Sequence, residues 1–394
     1  MESDLQVLTQ AYEMATEFRK HPSSFNDARL ILKHIVEQIP KKNQKKIMMV
    51  QSMANRSLAK IYDKNPKKRY KAKAAIQKAI SLAPQDPINY LWLGNCPHID
   101  YKTRQTNLKT ALKLSQAYSQ LLVQVQSLLG LGKLESVHKN SALAYEYFKQ
   151  GLNLISKIPL ETLQEKNEIL ELKLRVHCYL GLGNESKNST EKIYHFKNAL
   201  KAIDISGLEL VKISQLKIRA LYLLAQITDD SVIAQEGLEL VKQVIFLTTK
   251  GEIQNIEYLC KFNILLGNIL KKETYFLETL RLLKSQKINK TDLTVQVYLG
   301  LGNCRNIKNA KNSDSHWYEL SIDTILHENP NKIDSKLKFL LAKAYLGLGN
   351  CNYKDRNFSQ ALTYYNKSLE YYPNQAKLDK YIPLCQKKLQ ISKN

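Results

Sequence analysis

The chain has 394 residues, 44% of them hydrophobic and 24% charged, with a formal net charge of +23, a composition typical of folded, water-soluble proteins. Only 14 Gly and 10 Pro occur, which argues against an all-β fold built on many tight turns. No apolar run reaches the ~18 residues a membrane-spanning helix needs, and the acidic, polar start MESDLQVLTQ shows no signal segment, so a cytoplasmic protein is expected.

In chain order, the first clear element is an amphipathic run with Ala28, Leu32 and Ile35 on one face, closed by Pro40. A second run repeats that spacing with Ala72, Ile76, Ala79 and Pro84. YLWLGNC follows from Tyr90, then LLGLGK from Leu128, whose Leu131 and Gly132 lead to a run through Ala144, Phe148 and Gly151. Leu160–Gly183 reads as one continuous helix, ending in YLGLGN at Tyr179–Asn184. A degenerate copy, LYLLAQITDD, begins at Leu221, and NILLGN begins at Asn263. The letters YLGLGNC occur at Tyr298–Cys304 and again at Tyr345–Cys351. The copies lie roughly 35 to 50 residues apart, the range of helix-pair repeats.

The last copy shows the local pattern best. Apolar residues recur at three- and four-residue spacing through Leu337, Leu340, Leu341, Ala344, Tyr345 and Leu348, as on one face of a helix. The polar stretch NYKDRN is expected to break it. A second run carries Phe358, Ala361, Leu362, Tyr365 and Leu369 on one stripe, and Pro373 closes it. The tail Asn374–Lys393 reads as a polar closing helix, interrupted or kinked near Pro383.

Ala344–Pro373 resembles a tetratricopeptide repeat with no gap in its spacing. Tyr345 stands for the aromatic, Leu348 and Gly349 for the Leu-Gly pair, and Ala361 for the small residue opening the second helix; Tyr365, Ser368 and Pro373 complete the pattern. The resemblance implies an all-α fold, a right-handed superhelical solenoid of about nine antiparallel helix pairs. The array would span residues 1–373, with its clearest repeat at 342–373 and a closing helix and tail over 374–394. First helices would line a concave groove, and the function implied is a protein–protein interaction scaffold holding a partner's peptide or helix there. Extra residues before Pro330 and weak copies near Tyr222 and Asn263 make the array irregular.

The glycines invite a phosphate-loop reading, which fails on detail. Gly300 and Gly302 give GxG, but Arg305 stands where a dinucleotide fingerprint needs its third Gly. No GK[ST] occurs, and the copies follow helical rather than strand patterns. A Gly inside a helix costs about 0.8–1.0 kcal/mol relative to Ala, so each copy needs a compensating contact. The second glycines, Gly94, Gly132, Gly183, Gly267, Gly302 and Gly349, are read as helix crossings where a missing side chain lets the partner helix approach. The first position reads as less constrained, because Trp92 and Leu265 replace Gly there. Cys96, Cys304 and Cys351 read as small core residues.

After each second glycine stands a polar residue. Asn95, Asn184, Asn268, Asn303 and Asn350 share a helix stripe with residues such as Lys261 and Lys343, four or seven positions away. In the family resembled, this stripe faces the groove. A carboxamide both donates and accepts, so these Asn form a candidate ladder for a peptide backbone. They read equally as solvated or locally bonded helix residues. A lysine-rich clamp for acidic chaperone tails is not expected, since Gly181, Gly300 and Gly347 occupy positions it would need.

The sequence gives no reason to expect an enzyme, a cofactor or a metal: no HExxH, no CxxC pair and no Ser/His/Asp spacing occurs. The +23 charge leaves a second partner class open, nucleic acid or another acidic surface. Lys is spread along the chain, however, with its densest clusters at Lys41–Lys46 and Lys64–Lys73, and it serves equally as a solvent coat.

Overall fold

The computed structural model describes residues 2–19, 24–37, 45–158, 165–247, 253–286, 290–307, 314–328, 333–376 and 378–391. Parts of the expected Leu160–Gly183 helix, the Lys41–Lys46 cluster and the insertion before Pro330 lie outside them. Among the described residues there are nineteen α-helices and no strand. No described helix is long and apolar enough to cross a membrane.

Contacts divide the chain into two compact units, 1–208 and 209–394. The first holds α1 (Glu2–Phe18), α2 (Phe25–Glu37), α3 (Lys45–Asp63), α4 (Arg69–Leu82), α5 (Pro87–Gly94), α6 (Tyr101–Ala117), α7 (Leu121–Val137), α8 (Ser141–Ile155), α9 (Glu165–Glu185) and α10 (Ser189–Ile205). The second holds α11 (Leu210–Thr228), α12 (Ser231–Leu247), α13 (Ile253–Leu270), α14 (Glu273–Ser285), α15 (Thr291–Ile307), α16 (Asp314–Glu328), α17 (Ser335–Lys354), α18 (Phe358–Tyr371) and α19 (Leu378–Ile391). Odd and even neighbours pack as nine helix pairs among the described residues, and α19 packs against α18.

Helix ends follow local chemistry. Asp86, Asp100, Asn188 and Asp334 each accept a backbone N–H of the first turn that follows, at 2.7–3.0 Å. Four of the turns joining a first helix to its second use a left-handed residue other than glycine: Lys139, Asp229, Lys271 and Arg356. In two of them the next N–H caps the helix end, with Asn140 donating to the Glu135 carbonyl at 3.0 Å and Asn357 to the Asn352 carbonyl at 2.8 Å. The polar stretch NYKDRN breaks α17 later than expected. Asn352, Tyr353 and Lys354 are still helical, and the turn begins at Asp355. Tyr353 is the reason: its ring packs on Phe358 and Tyr381, with centroids 5.4 and 6.4 Å away.

Within each unit successive first helices touch: α1 with α3, α5 with α7, and α7 with α9 in one; α11 with α13, α13 with α15, and α15 with α17 in the other. Among the described residues no two second helices are in comparable contact. First helices therefore form the inner layer of each unit.

Between α3 and α5 a polar link supplies the join. Arg56 lies 2.5 Å from Asp86 Oδ2 and donates to Asn89 Oδ1 at 2.7 Å. Asn89, fully buried, donates in turn to Ser52 Oγ and the Ala79 carbonyl. The same Asp86 caps α5 through its other oxygen, so one carboxylate both starts a helix and binds it to its neighbour. Removing one partner strands a buried charge. Asp86→Ala should therefore cost about 3–5 kcal/mol, measured as a loss in urea-unfolding free energy. Exposed Asp100→Ala, which removes only a cap, should cost about 1 kcal/mol.

Candidate partner-binding face of the first helices

The glycines meet rings. A Cβ on Gly132 would lie 2.6 Å from Phe148, one on Gly267 2.7 Å from Phe276, and one on Gly302 2.8 Å from Tyr318. Gly183 and Gly349 meet Phe196 and Tyr365 in the same way, and Gly94 meets Leu108 at 2.5 Å. Real Cβ contacts are essentially never this short. The space left by each glycine is thus filled by a side chain from the second helix, where the sequence suggested closer approach of the helices themselves.

The first glycines are also tightly held, contrary to the expectation of looser constraint. Gly181, Gly300 and Gly347 face Phe148, Phe276 and Tyr318, and Gly130 faces Leu108 at 2.7 Å. These are side chains of the preceding pair. Each such residue is therefore wedged between a glycine of its own first helix and a glycine of the next. Replacement of the first glycine is tolerated where the preceding second helix offers less bulk. Trp92 packs on the cluster that holds Ala72, Ile76 and Ala79, and Leu265 follows a pair in which α12 carries Ala234 three residues before Gly237, where α8 carries Phe148 three before Gly151. There the ring comes from the other side: Phe262 of α13 fills the space over Gly237.

The polar residues beside the glycines fall into two groups. Asn95, Asn184, Asn268 and Asn303 are exposed and Asn350 is half-buried. Asn95 bonds locally, donating to the Leu91 carbonyl at 3.0 Å. Asn303 and Asn350 accept from the Tyr318 and Tyr365 hydroxyls at 2.8 and 3.1 Å, which satisfies phenols whose rings are almost wholly buried. Burial pushes the Tyr365 phenol up. At the middle of the stripe Leu91, Leu180, Ile264 and Leu299 are buried, so its accessible part lies at the Asn and at the residue seven before it. Lys261 and Lys343 stand over aromatic faces on their own helices, 4.8 Å from the Tyr258 centroid and 4.4 Å from that of Phe339. Burial lowers the Lys261 pKa, with Glu257 opposing.

Two further features gave no sequence signal. A pocket of about 560 Å³ between α9 and α10 is lined by Glu171, Arg175, Tyr179, Asn198 and Lys201, but the buried Glu171 is already paired with Arg175. His195 is buried among Tyr145, Tyr179 and Tyr194, and burial lowers its pKa against the pull of Glu191. All six cysteines are buried and unbridged. Burial raises Cys96, Cys178 and Cys260 to about 12, so these thiols stay protonated and act as core atoms.

The Tyr–Asn bonds give a direct test. Tyr318→Phe and Tyr365→Phe keep the ring and remove only the hydroxyl. Each should lower unfolding free energy by about 1 kcal/mol, and Tyr318→Phe should lose nothing further in an Asn303→Ala background.

Comparison with known proteins gives one family match: the tetratricopeptide repeat model matches residues 342–375. Aspartyl phosphate phosphatase F from Bacillus subtilis is 14% identical over 94% of this chain and 94% of that chain, with a TM-score of 0.46. The human IFIT1 dimer with PPP-AAAA is 15% identical over 88% of this chain and 68% of that one, at 0.37. The P58(IPK) TPR domain is 14% identical over 98% and 99%, at 0.27. No curated protein matches. Residues 342–375 are a tetratricopeptide repeat, set in a chain of successive antiparallel helix pairs.

Proposed function

We propose that the chain is a protein-interaction scaffold that holds an extended peptide or a helix of a protein partner along its first helices. One observation carries the reading. An accessible carboxamide recurs at one register on five first helices, directly after a buried helix glycine, as Asn95, Asn184, Asn268, Asn303 and Asn350. Solvation alone sets no such register, because any polar residue would serve. In Asn303 and Asn350 the tyrosine hydroxyl takes the amide oxygen. That fixes the rotamer and directs the NH₂ group away from the ring, as a donor for a partner's carbonyl groups. Grip through backbone groups suits a scaffold whose partners share a conformation rather than a sequence.

The test is photo-crosslinking in cells. A photoreactive residue at Gln296 or Leu346, on the first-helix face, should capture one and the same protein. One at Thr363, exposed on second helix α18, should not. Asn303→Ala with Asn350→Ala should then weaken the captured partner's affinity by about tenfold or more, at about 1 kcal/mol for each lost bond. Equal yields from Thr363, or unchanged affinity in the double variant, would remove the reading. Capture of nucleic acid, lost steeply with salt, would establish the other partner class that the +23 charge leaves open.

A further inference from the structure

Positive charge gathers at the C-terminal ends of α1 and α3, in Arg19 and Lys60. The Tyr12 hydroxyl lies 3.3 Å from Ser57 Oγ, and Arg19 Nη1 donates to the same Oγ at 3.2 Å. Ser57 is 3% exposed, so a buried hydroxyl ties the two helices together. Lys60 stands three residues further on and shares that side of α3. Arg56, one turn earlier, is committed to Asp86 and Asn89. Asp63, the next acid along α3, lies 3.2 Å from His98 Nδ1. Among the described residues no carboxylate is within ion-pair distance of Arg19 or Lys60.

We propose that Arg19, bonded to the Ser57 hydroxyl, and Lys60, three residues further along the same side of α3, form a binding site for an oxyanion, the carboxylate or phosphoryl group of a peptide. A guanidinium fork beside a compact ammonium supplies several charge-assisted donors to one planar or tetrahedral oxyanion. The register supports the assignment: Lys60 follows the fully buried Ala59 as Asn95 and Asn184 follow their glycines in the same unit. The site thus lies at the same edge of that unit's first-helix layer. That the oxyanion belongs to a peptide rests on the function proposed above; binding of a free oxyanion does not.

Lys60 is exposed on α3, so solvent screens much of the repulsion from the guanidiniums beside it. The Lys60 pKa is pushed down to about 8 from 10.5, first by burial and then by the Arg19 and Arg56 guanidiniums. The folded value lies below the unfolded one. Charged Lys60 therefore opposes folding at neutral pH, and its penalty fades as pH rises from about 8 to about 10.5. A bound oxyanion would offset the repulsion and raise the pKa again. Without anion, Lys60→Met should therefore raise the melting temperature at pH 7 only slightly.

The test follows the lysine ammonium signals of the full chain by NMR, in inorganic phosphate and separately in acetate, at ionic strength matched with chloride. Either anion should shift Lys60 saturably and raise its titration midpoint above about 8. Lys73, exposed on α4, should shift only weakly and without saturation. Arg19→Gln should weaken the effect about tenfold. Should that variant fail to fold, Lys60→Met gives a second reading: phosphate or acetate should raise the melting temperature of the wild-type chain and not that of the variant. Saturation by phosphate alone assigns a phosphoryl group, and saturation by acetate assigns a carboxylate. No difference between Lys60 and Lys73, or equal stabilisation of Lys60→Met, overturns the proposal. Saturable anion binding without protein crosslinks from Gln296 and Leu346 would keep the oxyanion site and remove the peptide reading.

Discussion

The structure depends on a bulky residue held between two helices that give up their side chains. Phe148 sits against Gly132 and Gly181, Phe276 against Gly267 and Gly300, and Tyr318 against Gly302 and Gly347. In each case one ring touches the first helix of its own pair and the first helix of the next. It therefore sets the spacing within a pair and the spacing between pairs with a single contact. Each helix glycine costs about 1 kcal/mol against alanine. Burying a ring of this size returns about 1.5–3 kcal/mol, which covers both glycines only when the fit leaves no void.

The departures obey the same size rule. Leu108 takes the ring's place between Gly94 and Gly130. Trp92 packs on small and aliphatic residues of the preceding helix, Ala72, Ile76 and Ala79. Between α12 and α13 the wedge is absent, and Phe262 instead fills the space over Gly237, where Cys178 lies against Gly151. Tyr365 is covered by α19, with Leu378 and Cys385 in the same cluster and Tyr381 stacked at 5.8 Å. The polar link from Arg56 to Asp86 and Asn89 serves the α3–α5 join, where no glycine–ring wedge is present.

Helix pairs were legible where three signals coincide, as in the last repeat: apolar three-and-four spacing, a small-residue triplet and a closing proline. About nine pairs were read from the sequence, and nine pack among the described residues. The partner of each glycine was not legible, because the interval from glycine to ring differs between pairs and the first glycine's partner lies in the pair before. The repeat near Leu221 looked degenerate for a physical reason: Ala225 stands at the glycine register and Ala234 at the ring register, so neither half of the wedge is present. The Asn register was plain in the sequence, while the tyrosine bonds of Asn303 and Asn350 depend on contacts between helices that no local pattern shows. The charge at Arg19 and Lys60 was hidden for the opposite reason. Among so many lysines, Lys60 is set apart by the Arg19 and Arg56 guanidiniums that folding brings near it.

The central claim is that glycine and ring are matched in size across neighbouring pairs, and a double-mutant cycle on Gly300 and Phe276 tests it most directly. Unfolding free energies would be measured for Gly300→Ala, Phe276→Leu and the double variant. Wedging predicts that Gly300→Ala alone lowers stability by about 1–3 kcal/mol through overpacking. With Leu at 276 that loss should shrink to nothing or become a gain, as helix propensity favours Ala by about 1 kcal/mol. If Gly300→Ala stabilises the chain equally in both backgrounds, the ring does not set the spacing and the account is wrong.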